Sequence, residues 1–122
     1  MSRLSPDQAS AFAREWIEAW NAHDLDAIMS HYAEEIVFHS PRIAAVMGNG
    51  AAFVAGKAAL RDYWKNGFAK APDLHFEMQR VYLGSDALTI GYRNHRGQYV
   101  TETFLFGGDG LVTLSIATYS ER

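Results

Sequence analysis

Glu102 is the residue whose surroundings most directly invite chemistry. Residues 87 to 94 and 98 to 106 are strand-like runs on either side of Asn94-His95-Arg96-Gly97. That tetrapeptide suits a type I turn followed by glycine in the left-handed conformation, a three-residue hairpin loop with a bulge. The loop sets the register, so Asn94 faces Gln98, Tyr92 faces Val100, Ile90 faces Glu102 and Leu88 faces Phe104. Alternation along each strand then puts Leu88, Ile90, Tyr92, Val100, Glu102, Phe104 and Phe106 on one face. Thr89, Gly91, Arg93, Thr101 and Thr103 take the other. A carboxyl group on an apolar face is stripped of water and its pKa rises, which poises it as an acid, a base or a neutral hydrogen-bond donor. The competing reading of the same position is a structural acid hydrogen-bonded to Tyr92 or Trp16.

Tyr92, beside Glu102, is the second catalytic candidate. Trp16, Trp20, Tyr32, Trp64 and Tyr119 add large side chains with polar tips, a set that suits a flat apolar ligand carrying one or two polar groups. Phe38, Ser40, Ile90 and Phe104 complete the expected ligand-binding positions. The five histidines are scattered, and of them only His31, with Glu35, has one-turn helical spacing, so no metal site is expected. His75, between Leu74 and Phe76, has no readable orientation. No serine stands in a glycine-flanked elbow, which excludes serine hydrolase chemistry. Gly107-Gly108-Asp109-Gly110 joins two strands and opens no helix, so it is a turn and not a phosphate cradle.

Composition excludes several classes. The 122 residues suffice for one domain, and 48% hydrophobic with 20% charged residues is a globular balance. A formal charge of −3 with interspersed signs offers no basic face to nucleic acid. Cysteine is absent, so disulfides and thiol chemistry are excluded. No run is long and apolar enough to span a bilayer, and Met1 to Asp7 lacks the apolar centre of a signal peptide, so a cytoplasmic location without membrane contact is expected.

The elements that position these residues are helical first and extended later. Ser5-Pro6-Asp7-Gln8 has the form of a capping box, and Ala9, Phe12, Ala13, Trp16 and Trp20 continue as an apolar stripe to Asn21-Ala22-His23. Asp24 caps a short second helix bearing Leu25, Ile28, Met29 and Tyr32. Residues 36 to 40 read as a brief strand stopped by Pro41. Residues 42 to 55 read as a loop with a short strand near Phe53. A third helix after Gly56 carries Leu60, Tyr63, Trp64 and Phe68 and ends at Pro72. Four strands follow, near 74 to 83, 87 to 94, 98 to 106 and 111 to 119. In the last, Val112, Leu114, Ile116 and Thr118 share one face and Thr113, Ser115, Ala117 and Tyr119 the other.

Three stretches together resemble the nuclear transport factor 2-like superfamily. They are Asp24-Leu-Asp-Ala-Ile28 with Tyr32-Ala-Glu-Glu35, the strand ending in Ser40-Pro41, and Gly56-Lys-Ala-Ala-Leu-Arg-Asp-Tyr-Trp64 before a sheet closing with Ala117-Thr-Tyr119. Within it the chain is most similar to the ketosteroid isomerase and SnoaL-like polyketide cyclase branch. The resemblance implies an α+β fold, a cone-shaped curved antiparallel sheet wrapped around three helices of the N-terminal half, as in cystatin-like rolls. It also implies an apolar cavity open at one end and a homodimer through the outer sheet face. By the same resemblance Trp16 stands where the isomerases have a tyrosine donor, and Glu102 where they have a protonated aspartate. Tyr119 stands at a cavity aromatic, and Ser40 replaces the general-base aspartate.

The reading from sequence is therefore a cofactor-free domain for an apolar or aromatic metabolite. It would act as an isomerase, cyclase or dehydratase by acid/base chemistry, with Glu102 as acid or donor assisted by Tyr92, Trp16 and Tyr119. The alternative is a non-catalytic ligand-binding or protein-association module. If the Tyr119 face of the last strand lines the cavity, Val112, Leu114 and Ile116 point outward and need cover, which a second copy would supply.

Overall fold

The computed structural model describes residues 4–48 and 50–120; Met1–Arg3, Asn49 and the last two residues lie outside the description, and with them part of the amino-terminal reading. Helix α1 (Pro6–Asn21) starts with the expected capping box. The Gln8 amide donates to Ser5 Oγ at 3.1 Å and the Ser5 amide donates to Gln8 Oε1 at 2.8 Å. Its buried stripe, Ala9, Ala13, Trp16, Ile17 and Trp20, faces the sheet, while Arg14 and Glu18 stay in water. Helix α2 (Leu25–Met29) begins where Asp24 Oδ1 accepts from the Ala27 amide.

Tyr32 does not close that helix; it opens strand β1 (Tyr32–His39). The apolar spacing of Leu25, Ile28, Met29 and Tyr32 fits a helix, but the His31 carbonyl accepts from the Val112 amide and draws the chain into the sheet. Pairing there outweighs periodicity. Between Tyr32 and Val37 the register slips, and Glu34 and Glu35 stand exposed at this irregularity.

The stretch after Ser40, expected to be loop, forms helix α3 (Pro41–Met47). Ser40 Oγ accepts from the Arg42 amide at 3.2 Å, Pro41 fills the first turn, and Gly48 ends the helix at φ 69°. The same Ser-Pro that stops a strand also starts a helix. Strand β2 (Phe53–Ala55), helix α4 (Lys57–Lys70), and strands β3 (Glu77–Leu83), β4 (Ala87–Arg93), β5 (Tyr99–Phe106) and β6 (Val112–Tyr119) follow.

The architecture is α+β, with a curved six-stranded sheet in the order β2-β1-β6-β5-β4-β3. Two expectations are corrected: among the described residues four helices accompany the sheet, and it is antiparallel except for the parallel pair β1–β6. The connection from β1 to β6 spans the whole middle of the chain, a length that permits a parallel neighbour.

The β4–β5 register is the one the turn dictates: Leu88 pairs with Phe104, Ile90 with Glu102 and Tyr92 with Val100. Asn94 Oδ1 accepts from the Arg96 and Gln98 amides, and Gly97 sits at φ 80°. In β6 one residue is inserted, since Leu105 pairs with Leu114 but Phe106 with Val112. This bulge turns Val112 inward, where it is fully buried, against its expected outward position. Leu114 and Ile116 remain half-exposed on the outer face, and Ser115 and Ala117 point in.

Replacing Gly97 by alanine forces a Cβ onto a left-handed backbone and is expected to lower stability by about 1–2 kcal/mol. Urea denaturation with an unchanged slope measures it.

Candidate active site

A cavity of about 420 Å³ lies between the inner sheet face and the helices. Helix α1 supplies Trp16 and Trp20, the end of β1 supplies Phe38, the cap of α3 supplies Ser40, and α4 supplies Tyr63 and Trp64. Tyr92, Glu102, Ala117 and Tyr119 form the sheet side, with Phe76 just before β3. The volume falls in the range of roughly 300–1,000 Å³ usual for small-molecule sites.

Glu102 is 3% exposed and lies in the cavity wall. Its cross-strand partner on β6 is Ala117, so Ser115 stands diagonally opposite, and Ser115 Oγ donates to Glu102 Oε2 at 2.9 Å. The Tyr92 hydroxyl is its second partner. Burial pushes the carboxyl up to about 8, and the hydrogen bonds from Ser115 and Tyr92 offset only part of that. At neutral pH Glu102 is therefore mostly a neutral acid, with a proton to present. Burial likewise raises Tyr92 well above the ordinary tyrosine range and Tyr119 to about 12, the neighbouring Glu102 adding to both. All three groups are proton carriers at neutral pH.

Eight of the eleven expected site positions meet at this cavity: Trp16, Trp20, Phe38, Ser40, Trp64, Tyr92, Glu102 and Tyr119. Tyr32, Ile90 and Phe104 do not. Each is fully buried in the layer behind the wall. Tyr32 turns away because β1 starts there, and its hydroxyl accepts from Trp16 Nε1 at 2.9 Å. That bond also corrects the role expected for Trp16, whose indole proton is held inside the protein. Phe104 packs edge-on against Trp16 at 5.3 Å.

Ser40 bridges structure and site, capping α3 and hydrogen-bonding Tyr119. No carboxylate occupies its position. Phe76 stacks on Tyr92 with ring centroids 4.2 Å apart, and sequence reasoning noted it only as a neighbour of His75. Alternation from the exposed His75 would have placed Phe76 inward. Arg42 was hidden in the supposed loop, and Ser115, though put on the inner face, carried no signal that it would hold Glu102. His31 and Glu35 lack the helix their spacing assumed. Among the described residues no group of three or more acidic or histidine side chains could hold a metal.

Residues 13–115 match the SnoaL-like domain family. The chain belongs to that family. A SnoaL-like protein of unknown function from Burkholderia thailandensis is 40% identical, with 98% of this chain and 99% of that one covered and a TM-score of 0.93. At 15% identity, two structures share the fold. One is a protein of unknown function with a cystatin-like fold from Methylobium petroleophilum (TM-score 0.77, 98% and 80% covered). The other is a candidate ketosteroid isomerase from Kribbella flavida (TM-score 0.70, 95% and 80% covered). No curated protein matches. This SnoaL-like domain thus has the nuclear transport factor 2-like fold. Among its described residues no helix is long and apolar enough to cross a membrane.

Because the carboxyl of Glu102 is raised by folding, its stabilising contribution is complete below the unfolded value near 4.5 and is lost as pH climbs through about 8. Within that window the folded state keeps a proton that the unfolded state releases, so stability falls by up to about 1.4 kcal/mol per pH unit from this group. Glu102→Gln, which stays neutral, is expected to gain on the parent protein as pH rises from 5 to 8. Paired urea titrations across that range read the difference.

Proposed function

We propose that this SnoaL-like domain binds an apolar or aromatic small molecule in the 420 Å³ cavity and polarises an oxygen of it with the Glu102 carboxyl. The observation that carries the reading is a neutral buried acid exposed to a cavity walled by aromatic rings. A charged carboxylate would repel a developing oxyanion, whereas a neutral one donates to it and strengthens that bond as negative charge grows. Isomerisation, cyclisation and dehydration each need an acid at a ligand oxygen, and these are the reactions proposed. Tyr92 assists through its hydrogen bond to Glu102, and Tyr119 offers a second hydroxyl to the same space. No cofactor enters this reading, and the absence of cysteine accords with the cytoplasmic location it includes.

A second reading rests on Ser40. Where the isomerases resembled above carry a base, this chain has a hydroxyl engaged in capping a helix. A cavity with an acid but no carboxylate base also describes a binding module without turnover.

The outer sheet face carries Tyr82 at 55%, Tyr99 at 54% and Leu105 at 39% exposure, with Leu114 and Ile116 beside them. Part of the proposal is a homodimer through this face, which would bury the apolar row. Sedimentation at micromolar concentration is expected to show a dimer, and Leu105→Lys is expected to weaken it at least tenfold.

For the cavity, 2-acetylnaphthalene is expected to raise the melting temperature of the parent protein and to stabilise Glu102→Leu markedly less. Equal stabilisation of both proteins would remove Glu102 from the site, and no shift in either would count against a ligand cavity.

A further inference from the structure

The cavity's rim differs from its walls. Arg42 reaches it from α3, Lys70 from the last turn of α4, and Arg96 from the β4–β5 turn, with Asp73 the one rim carboxylate. Three cations against one anion leave the lining at +2, in a chain whose formal charge is −3. Glu102, pushed up to about 8 by burial, is mostly uncharged at neutral pH and changes this balance little. Scattered surface lysines and arginines need no explanation, but these three come from separate elements onto one opening. Among the described residues none of the three is in an ion pair, although Arg61 pairs with Asp26 elsewhere on the surface.

The unbonded polar atoms near the cavity add nothing to this charge pattern. Among the described residues three buried side-chain atoms make no hydrogen bond, and two of them, Trp20 Nε1 and His95 Nδ1, belong to residues lining this cavity. Trp20 is 6% exposed, so its indole proton has no route to bulk water. Each of the two atoms is shut off from the open cavity as well as from bulk water, so neither calls for a ligand, and the charge pattern of the rim stands alone. The ordinary alternative, that Asp73 neutralises the rim, is weak, since its oxygen is 3.9 Å from His95 Nε2 and it is a single charge.

Resting on the cavity reading above, we propose that the ligand is an aromatic or alicyclic carboxylate. Its ring lies among Trp16, Trp20, Phe76 and Tyr92, and its anionic group is held at the rim by Arg42, Lys70 and Arg96. The cations steer the anion to the mouth and hold it there, while the apolar body enters the walls. An oxygen on the inner part of that body is what Glu102 meets, so the charged end and the reacting end are different ends of the ligand.

Calorimetry with the intact protein at pH 7 and 50 mM salt tests this with 2-naphthoate and its neutral isostere 2-naphthamide. The expected result is at least about tenfold tighter binding of the naphthoate. Most of that preference is expected to vanish in 500 mM salt. The exposed-site variants Arg42→Gln, Lys70→Gln and Arg96→Gln should each erode it about two- to threefold, with naphthamide binding unchanged. Equal affinities, or a preference that survives in the triple variant, overturn the carboxylate assignment and leave the cavity reading standing. If both naphthalene probes and 2-acetylnaphthalene fail to bind, both readings fall together. Circular dichroism of the variants separates lost binding from lost fold.

Discussion

A carboxyl group withdrawn from bulk water has to be answered by the rest of the fold, and in this protein that group is Glu102. Its position follows from a turn whose glycine takes φ 80°, because that turn sets the register and the register sets the face. Ionised, the group would lack the solvation it has in water; protonated, it is compatible with Ser115 and Tyr92 as its partners. Ser115 is itself fully buried, held on β6 by antiparallel pairing with β5. The neutral acid is thus a property of three strands acting together.

Around it the aromatic side chains divide into those that close the interior and those that bound empty space. Trp16 belongs to both groups. One edge is tied to Tyr32 by a buried hydrogen bond, and the ring packs against Phe104, Tyr92 and Phe76. Trp20 meets Trp64 edge-on at 5.0 Å and keeps an unbonded indole proton. Walls are apolar and the rim is cationic, so the field and the hydrophobic surface change along the cavity's depth. A ligand matched to both is amphipathic, which ties the charge pattern of three surface residues to the chemistry proposed at Glu102.

Much of this was legible in local patterns. The capping box, the stripe on α1, the β4–β5 register and the isolation of Glu102 on an apolar face each depend on residues within a turn or two of one another, and each is present in the structure. Where local periodicity met a competing long-range demand, it lost. Tyr32 fits a helical stripe, yet hydrogen bonds to a strand 80 residues away claim it for β1. Ser40-Pro41 carries strand-stop and helix-start chemistry at once, and only the packing of Ile43 into the core decides for α3. The bulge in β6 that turns Val112 inward has no sequence marker at Thr113.

The amino-acid sequence by itself determined that an α+β fold would form and that one acid would face inward, because turn chemistry and side-chain alternation act over a few residues. It also determined which side chains were available for a pocket wall. Only the tertiary structure decided which of them reach the cavity and which stand behind it. Tyr32, Ile90 and Phe104 pack in the interior while Arg42, Lys70, His95 and Arg96 gather at one opening. The reason is physical: depth within a curved sheet, and the convergence of a helix end, a short helix and a turn, arise from contacts between elements far apart in the chain, and no local pattern encodes that distance.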